Sequence, residues 1–153
     1  MPCLVFVGER RSGRAVRLGV TWLDGRLVGR TLHEAPRACG VDPAGAVFLN
    51  LFHDDARDPH PCETVLLATR SLAATGATVV ALGRRVQAGL QRAGVPYLPL
   101  THPAARGAVR ATATNRRLVA DLLRSSRPGR PLRAANQPPA PTASPSAAQT
   151  SSR

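Results

Sequence analysis

The sequence lacks lysine altogether, and it has only three cysteines and 3% aromatic residues. Cys3, Cys39 and Cys62 show no Cys-x-x-Cys spacing, which argues against a zinc site, an iron–sulfur cluster and a disulfide scaffold. No apolar run approaches the roughly 20 residues of a membrane span. No signal peptide is apparent either. We therefore expect a reduced, cytoplasmic protein that needs no metal or other cofactor and no membrane.

Acidic residues are scarce as well. Nine of them stand against 21 arginines, which gives a formal net charge of +12. Residues 1–121 carry a net charge of +7 and residues 122–153 carry +5, so both parts of the chain are basic. A basic surface of this size favours a polyanionic partner, with nucleic acid first.

Short β-branched runs alternate with helical segments along the chain. Strands are predicted at residues 3–8, 46–52, 78–82 and 97–101, and helices at residues 26–39, 63–75, 84–93 and 112–124. This alternation is typical of parallel strands joined by helical crossovers. The expected fold is an α/β protein, a three-layer α/β/α sandwich with a small four-stranded parallel sheet. Residues 1–124 would form this domain, and the Pro-, Ala- and Ser-rich residues 125–153 a disordered tail.

Polar residues stand at the ends of three predicted strands. Gly8-Glu9 follows LVFV, Asn50 lies within VFLNLF, and His102-Pro103 follows YLPLT. The carboxyl ends of parallel strands in an open α/β sheet converge on one crevice. A carboxylate, an amide and an imidazole are thus expected in a single pocket.

Four segments carry these residues in order: LVFVGERRSG, VTWLDGRLVGRTL, VFLNLF and LPLTHPAARG. Together they resemble the motifs of the uracil-DNA glycosylase superfamily, in particular the thermophilic-type bacterial enzymes without their iron–sulfur cysteines. The resemblance covers roughly residues 4–124. It implies a DNA-binding protein, which we expect to be monomeric and to act in a bacterial or phage-infected cell.

The resemblance assigns base recognition to Trp22, Asn50 and Gly8. An enzyme of this kind flips the target nucleotide out of the duplex and binds it by stacking and by hydrogen bonds to its Watson–Crick edge. Trp22 would stack on the base, and the amide of Asn50 would bind the pyrimidine edge. The alternatives are a Trp22 that packs helix against sheet, and an Asn50 satisfied by neighbouring loop backbone.

The resemblance assigns catalysis to Glu9 and His102. Glu9 would orient a water molecule and offset the oxocarbenium charge. His102 would hydrogen-bond the base carbonyl as it gains negative charge. Otherwise Glu9 is a salt-bridge partner of nearby arginines, and His102 is a turn residue before Pro103.

Arginines beside these motifs are candidate DNA contacts. Arg10, Arg11 and Arg14 would bind backbone phosphates, and Arg106 would enter the minor groove as a wedge or clamp. An ordinary solvated arginine is the alternative for each. The first motif departs from the family pattern, because Arg11 and Ser12 stand where that pattern has Pro and Gly. This departure could narrow the pocket, contact a phosphate, accompany a different base, or mark a protein that binds without cutting.

The leading hypothesis is a monofunctional DNA glycosylase that removes uracil or a related modified base. Without lysine, a Schiff-base lyase step is excluded except through the amino terminus. The alternatives are a non-catalytic nucleic-acid-binding protein and, less favoured by the charge, an enzyme acting on free nucleosides or nucleotides. The loop at residues 53–60 holds two histidines and three aspartates, which suit either a metal or, more commonly, a solvated loop.

Overall fold

A computed structural model describes residues 3–24, 28–38, 42–55, 57–102, 117 and 119–121. Within this part the chain forms four strands: β1 (Leu4–Gly8), β2 (Val47–Asn50), β3 (Thr78–Leu82) and β4 (Leu98–Leu100). All of them are parallel, in the order β2-β1-β3-β4. The predicted α/β class and four-stranded parallel sheet are confirmed.

In the described part of the chain, α1 (Gly13–Arg17) and α2 (Val28–Ala38) lie between β1 and β2, α3 (Glu63–Ala74) lies between β2 and β3, and α4 (Arg84–Arg92) lies between β3 and β4. The sequence analysis did not predict α1, which starts where the Ser12 hydroxyl accepts a hydrogen bond from the Ala15 amide at 3.1 Å. Ser12 is thus a helix N-cap, which gives this departure from the family pattern a local structural reason.

Apolar side chains cover both faces of the sheet. Alternate residues of β1 point to opposite sides, so Leu4 and Phe6 belong to one buried cluster and Val5 and Val7 to another. The first cluster includes Leu32 of α2 and Val119; the second includes Val86 and Leu90 of α4, with partly buried residues of α3 packed against it. Helices packed on both faces are what a three-layer sandwich requires.

The sequence pattern puts Leu27, Leu32, Ala35 and Ala38 roughly on one side of helix α2. Leu32 is buried, whereas Ala38, the last residue of the helix, is exposed. Pro36 lies inside this last turn and is buried. The side chains of Leu27 and Ala35 lie outside the described residues.

The last predicted helix is described at residue 117 and residues 119–121, which are helical. Val119 is fully buried there. The rest of that helix and the predicted tail, residues 125–153, lie outside the described residues. In the part of the chain that is described, no helix is long and apolar enough to cross a membrane.

The strand order creates a switch point at the middle of the sheet. From β1 the chain proceeds to β2 on one side, and from β3 it proceeds to β4 on the other. Open α/β proteins bind ligands in the crevice outside the carboxyl ends of such strands. Glu9 directly follows β1 and Gly83 directly follows β3, so this rule places a candidate ligand site beside these two residues.

Candidate active site at the carboxyl edge of the sheet

Gly8, the last residue of β1, lies against two of the predicted base-binding side chains. A Cβ atom built on Gly8 would lie 2.6 Å from Trp22 Cζ2 and 3.3 Å from Asn50 Oδ1. Gly8 pairs in register with Asn50, the last residue of β2. The absence of a side chain at Gly8 therefore lets the indole and the amide meet over the end of the sheet.

Trp22 fixes the orientation of the Asn50 amide. The indole Nε1 donates a hydrogen bond to Asn50 Oδ1 at 2.7 Å. An indole N–H can only donate, so its partner must be the carbonyl oxygen of the amide. The Asn50 amide nitrogen, with its two N–H groups, remains on the other side. Within the described residues, no hydrogen bond from that nitrogen is found.

An aromatic stack supports the indole from below. The Phe48 ring is stacked with Trp22 at a centroid distance of 6.4 Å, with Phe6 at 5.3 Å and with His33 at 5.2 Å. His33 Nε2 also lies 2.9 Å from the backbone oxygen of Trp22. Trp22 is therefore held both by its ring and by its backbone, as a rigid part of the site. Whether it also stacks on a base stays a prediction.

Glu9 and His102 lie near the switch point. A Cβ atom built on Gly83 would lie 3.3 Å from His102 Cβ, so the backbone after β3 closely approaches His102. Burial lowers the pKa of His102, and the charge of Glu9 partly opposes this shift. Glu9 is thus close enough to act electrostatically on the imidazole. At neutral pH the lowered pKa favours a neutral ring, which still donates one hydrogen bond.

Gly83 has a backbone requirement of its own. Its φ is +88°, in the left-handed region that residues with a Cβ avoid. This conformation turns the chain from β3 into α4 right beside His102. A glycine therefore suits this position both because of the turn and because His102 Cβ approaches closely.

Glu9 is held by two arginines. Arg85 Nη1 donates to Glu9 Oε1 at 2.8 Å, and Arg10 Nε lies 3.6 Å from the same oxygen. Arg85 was not among the residues singled out from the sequence. The signal that could have found it is the basic pair Arg84-Arg85 directly after a glycine that ends a strand.

Two of the arginines predicted to contact DNA, Arg10 and Arg11, bind the loop after β2. Arg11 pairs through its guanidinium with the carboxylate of Asp54, including a 2.8 Å bond from Nε to Oδ2. This hydrogen bond raises the pKa of Arg11 and lowers that of Asp54. Arg10 also donates to the backbone oxygen of Asp55 at 2.8 Å. The two arginines therefore tie the loop after β1 to the loop after β2.

Arg14 is exposed on α1, while Arg106 and Pro103 lie outside the described residues.

In the loop at residues 53–60, Asp54, Asp55 and Asp58 accept hydrogen bonds from nearby backbone amides. Across the described ranges, no group of three or more His, Cys, Asp or Glu side chains could hold a metal ion. Cys3 and Cys62 carry free thiols.

The fold and these residues together define an open α/β protein with polar side chains at the carboxyl ends of its strands, beside the topological switch point. Comparison with protein-family models and with curated proteins gives no match for this chain. The resemblance to the uracil-DNA glycosylases therefore stays a prediction from the sequence motifs.

Proposed function

We propose that this chain is a monofunctional DNA glycosylase that removes uracil or a related modified base by hydrolysis. The observation that carries the proposal is the grouping of a carboxylate, an imidazole and an oriented amide at the carboxyl edge of one sheet. Glu9, His102 and Asn50 come from the ends of three different strands. Such a set suits hydrolysis of an N-glycosidic bond, because the sugar gains positive charge while the base gains negative charge.

Asn50 supports recognition of a base that presents a carbonyl oxygen. With Oδ1 bound by Trp22, the amide offers its N–H donors to the ligand. Uracil has an acceptor, O4, where cytosine has a donor, the N4 amino group. A donor facing another donor is left unsatisfied, which costs ~1–3 kcal/mol. The oriented amide therefore favours uracil and other keto bases over cytosine.

His102 and Glu9 supply the charge stabilisation. The neutral imidazole of His102 would donate a hydrogen bond to the base carbonyl, which strengthens as the base departs. Glu9 would orient the attacking water and stabilise the oxocarbenium-like sugar. The basic exterior of the chain would attract the DNA backbone.

The test is base release from a uracil-containing oligonucleotide, followed by alkaline cleavage of the abasic strand. The wild-type chain is expected to give product, and Glu9→Gln to slow its release by at least about 100-fold. Glu63→Gln is the matched control, since Glu63 is exposed in the first turn of α3. No product from uracil, deaminated-adenine or hydroxymethyl-uracil substrates would refute the proposal.

A second candidate is a nucleic-acid-binding protein without catalysis. The observation that favours it is the pairing of Glu9 with two arginines, since such an ion pair can serve structure alone. This candidate predicts tight binding that weakens steeply with salt, no product from any of the substrates, and equal affinity for the wild type and Glu9→Gln.

A further inference from the structure

Arg85 makes two contacts that together fix its guanidinium group. It donates to Glu9 Oε1 at 2.8 Å, and its guanidinium carbon lies 4.4 Å from the centroid of the Phe52 ring. A cation over an aromatic face is attracted by the ring quadrupole, and the planar guanidinium stacks there in a way that an ammonium group does not. The ring therefore sets the position from which Arg85 reaches the carboxylate.

Phe52 also fixes the backbone of the residue that Arg85 binds. The Phe52 amide donates to the backbone oxygen of Glu9 at 2.8 Å, and the Leu51 amide donates to that of Gly8 at 2.8 Å. Phe52 itself is almost fully buried. Phe52 thus holds Glu9 through its backbone amide and Arg85 through its ring, while Arg85 and Glu9 bind each other directly.

Arg85 is the principal partner of the Glu9 side chain. Arg10 lies farther from the carboxylate, at 3.6 Å, and is engaged with the Asp55 backbone oxygen at 2.8 Å. Both arginines contact Oε1. In the described part of the chain, no hydrogen bond to Glu9 Oε2 is found. Arg85 therefore anchors one carboxylate oxygen, and the other keeps acceptor capacity for a ligand.

We propose that Arg85 is a positioning residue for the reaction: it holds Glu9 Oε1 so that Oε2 stays in place to bind the attacking water. The proposal rests on the glycosylase function inferred above. Arg85 acts through Glu9, so its contribution disappears when the carboxylate is removed. Because both partners are partly exposed, the pair adds little to folding stability, and its value lies in geometry.

The experiment compares Arg85→Gln with Arg84→Gln in single-turnover excision of uracil from a duplex oligonucleotide. Arg84 is the preceding residue of α4 and is exposed, so its variant loses the same charge at the same helix end. We expect Arg85→Gln to lower the single-turnover rate about 10- to 100-fold, the range for a misplaced catalytic group. Arg84→Gln should stay within about twofold of wild type, and the duplex dissociation constants of the two variants, measured by fluorescence anisotropy, should agree within a few-fold.

Two further variants separate positioning from general structural damage. Arg85→Lys keeps the charge but replaces the guanidinium over the Phe52 ring with an ammonium group, so its rate should fall between wild type and Arg85→Gln. The double variant Glu9→Gln/Arg85→Gln should be no slower than Glu9→Gln alone, because the two residues act as one unit.

The outcomes are distinguishable. An active wild type with equal rates for Arg85→Gln and Arg84→Gln would overturn the role of Arg85 and leave the glycosylase proposal standing. A further loss of rate in the double variant would also overturn it, since Arg85 would then act independently of Glu9. An inactive wild type would overturn both proposals. If Arg85→Gln fails to fold, Arg85→Lys carries the same comparison.

Discussion

Replacing Gly8 with alanine tests the packing on which the base-recognition site depends. The new Cβ would lie 2.6 Å from Trp22 Cζ2 and 3.3 Å from Asn50 Oδ1. Carbon atoms in contact are normally about 3.5–4.0 Å apart, so the indole would have to move by about 1 Å. The Trp22 ring is stacked on Phe48, and its displacement would stretch or break the 2.7 Å bond to Asn50.

The expected cost follows from overpacking, which typically destabilises a folded protein by about 1–3 kcal/mol. For a domain of this size that corresponds to a fall in Tm of roughly 3–10 °C. Trp22 is the only tryptophan in the chain, so fluorescence excited at a wavelength that tyrosine does not absorb reports on this residue alone. We expect Gly8→Ala to shift the emission maximum as the indole leaves its site.

Gly45→Ala is the matched control. A Cβ atom there meets no atom within 4 Å, and Gly45 has no positive φ. This variant should unfold within about 1 kcal/mol of wild type, with unchanged emission. If Gly8→Ala matched Gly45→Ala in both thermal unfolding and fluorescence, the contact of Trp22 and Asn50 over the end of β1 would be refuted.

Two other changes probe the site. Trp22→Phe keeps an aromatic ring on Phe48 but removes the N–H that orients Asn50. The ratio of uracil excision to cytosine excision should therefore fall about five- to tenfold. An unchanged ratio would show that the indole does not fix the orientation of the Asn50 amide. His102 has a pKa held by burial below its ordinary value of 6.5, so the unfolded chain takes up its proton more readily than the folded one. Its contribution to stability is complete above about pH 6.5 and is lost as the pH falls, by at most about 1.4 kcal/mol per pH unit. Urea unfolding between pH 7.5 and 5.5 should show a shallower decline for His102→Asn than for wild type, and equal slopes would contradict the burial of the imidazole.

The longer strands and helices could be predicted because their hydrophobic patterns extend over enough residues to show a period. Strand β3 matches its predicted bounds, and α3 and α4 each end one residue before the predicted end, where Gly76 and Gly94 with positive φ turn the chain. Helix α1 could not be predicted, since five residues show no helical period. Its one local signal is the Ser12 cap.

The meeting of strand-end residues follows from parallel topology, because all the carboxyl ends lie at one edge. The partners of these residues do not follow from it. The bond from Trp22 to Asn50 depends on the pairing of Gly8 with Asn50 in the sheet, which no sequence period specifies. Arg85 meets Glu9 across 76 positions of sequence, through a strand order that must be known before the contact can be seen.

Proton–nitrogen NMR spectra of the chain, recorded while uracil or cytosine is added, test the central claim most directly. The indole N–H of Trp22 gives a unique signal, and the side-chain amide signals of Asn50 can be assigned by their loss in Asn50→Asp. We expect uracil to shift both sets of signals and cytosine to shift them much less. If uracil leaves both unmoved, or if cytosine moves them equally, the carboxyl edge of this sheet is not a site for keto bases.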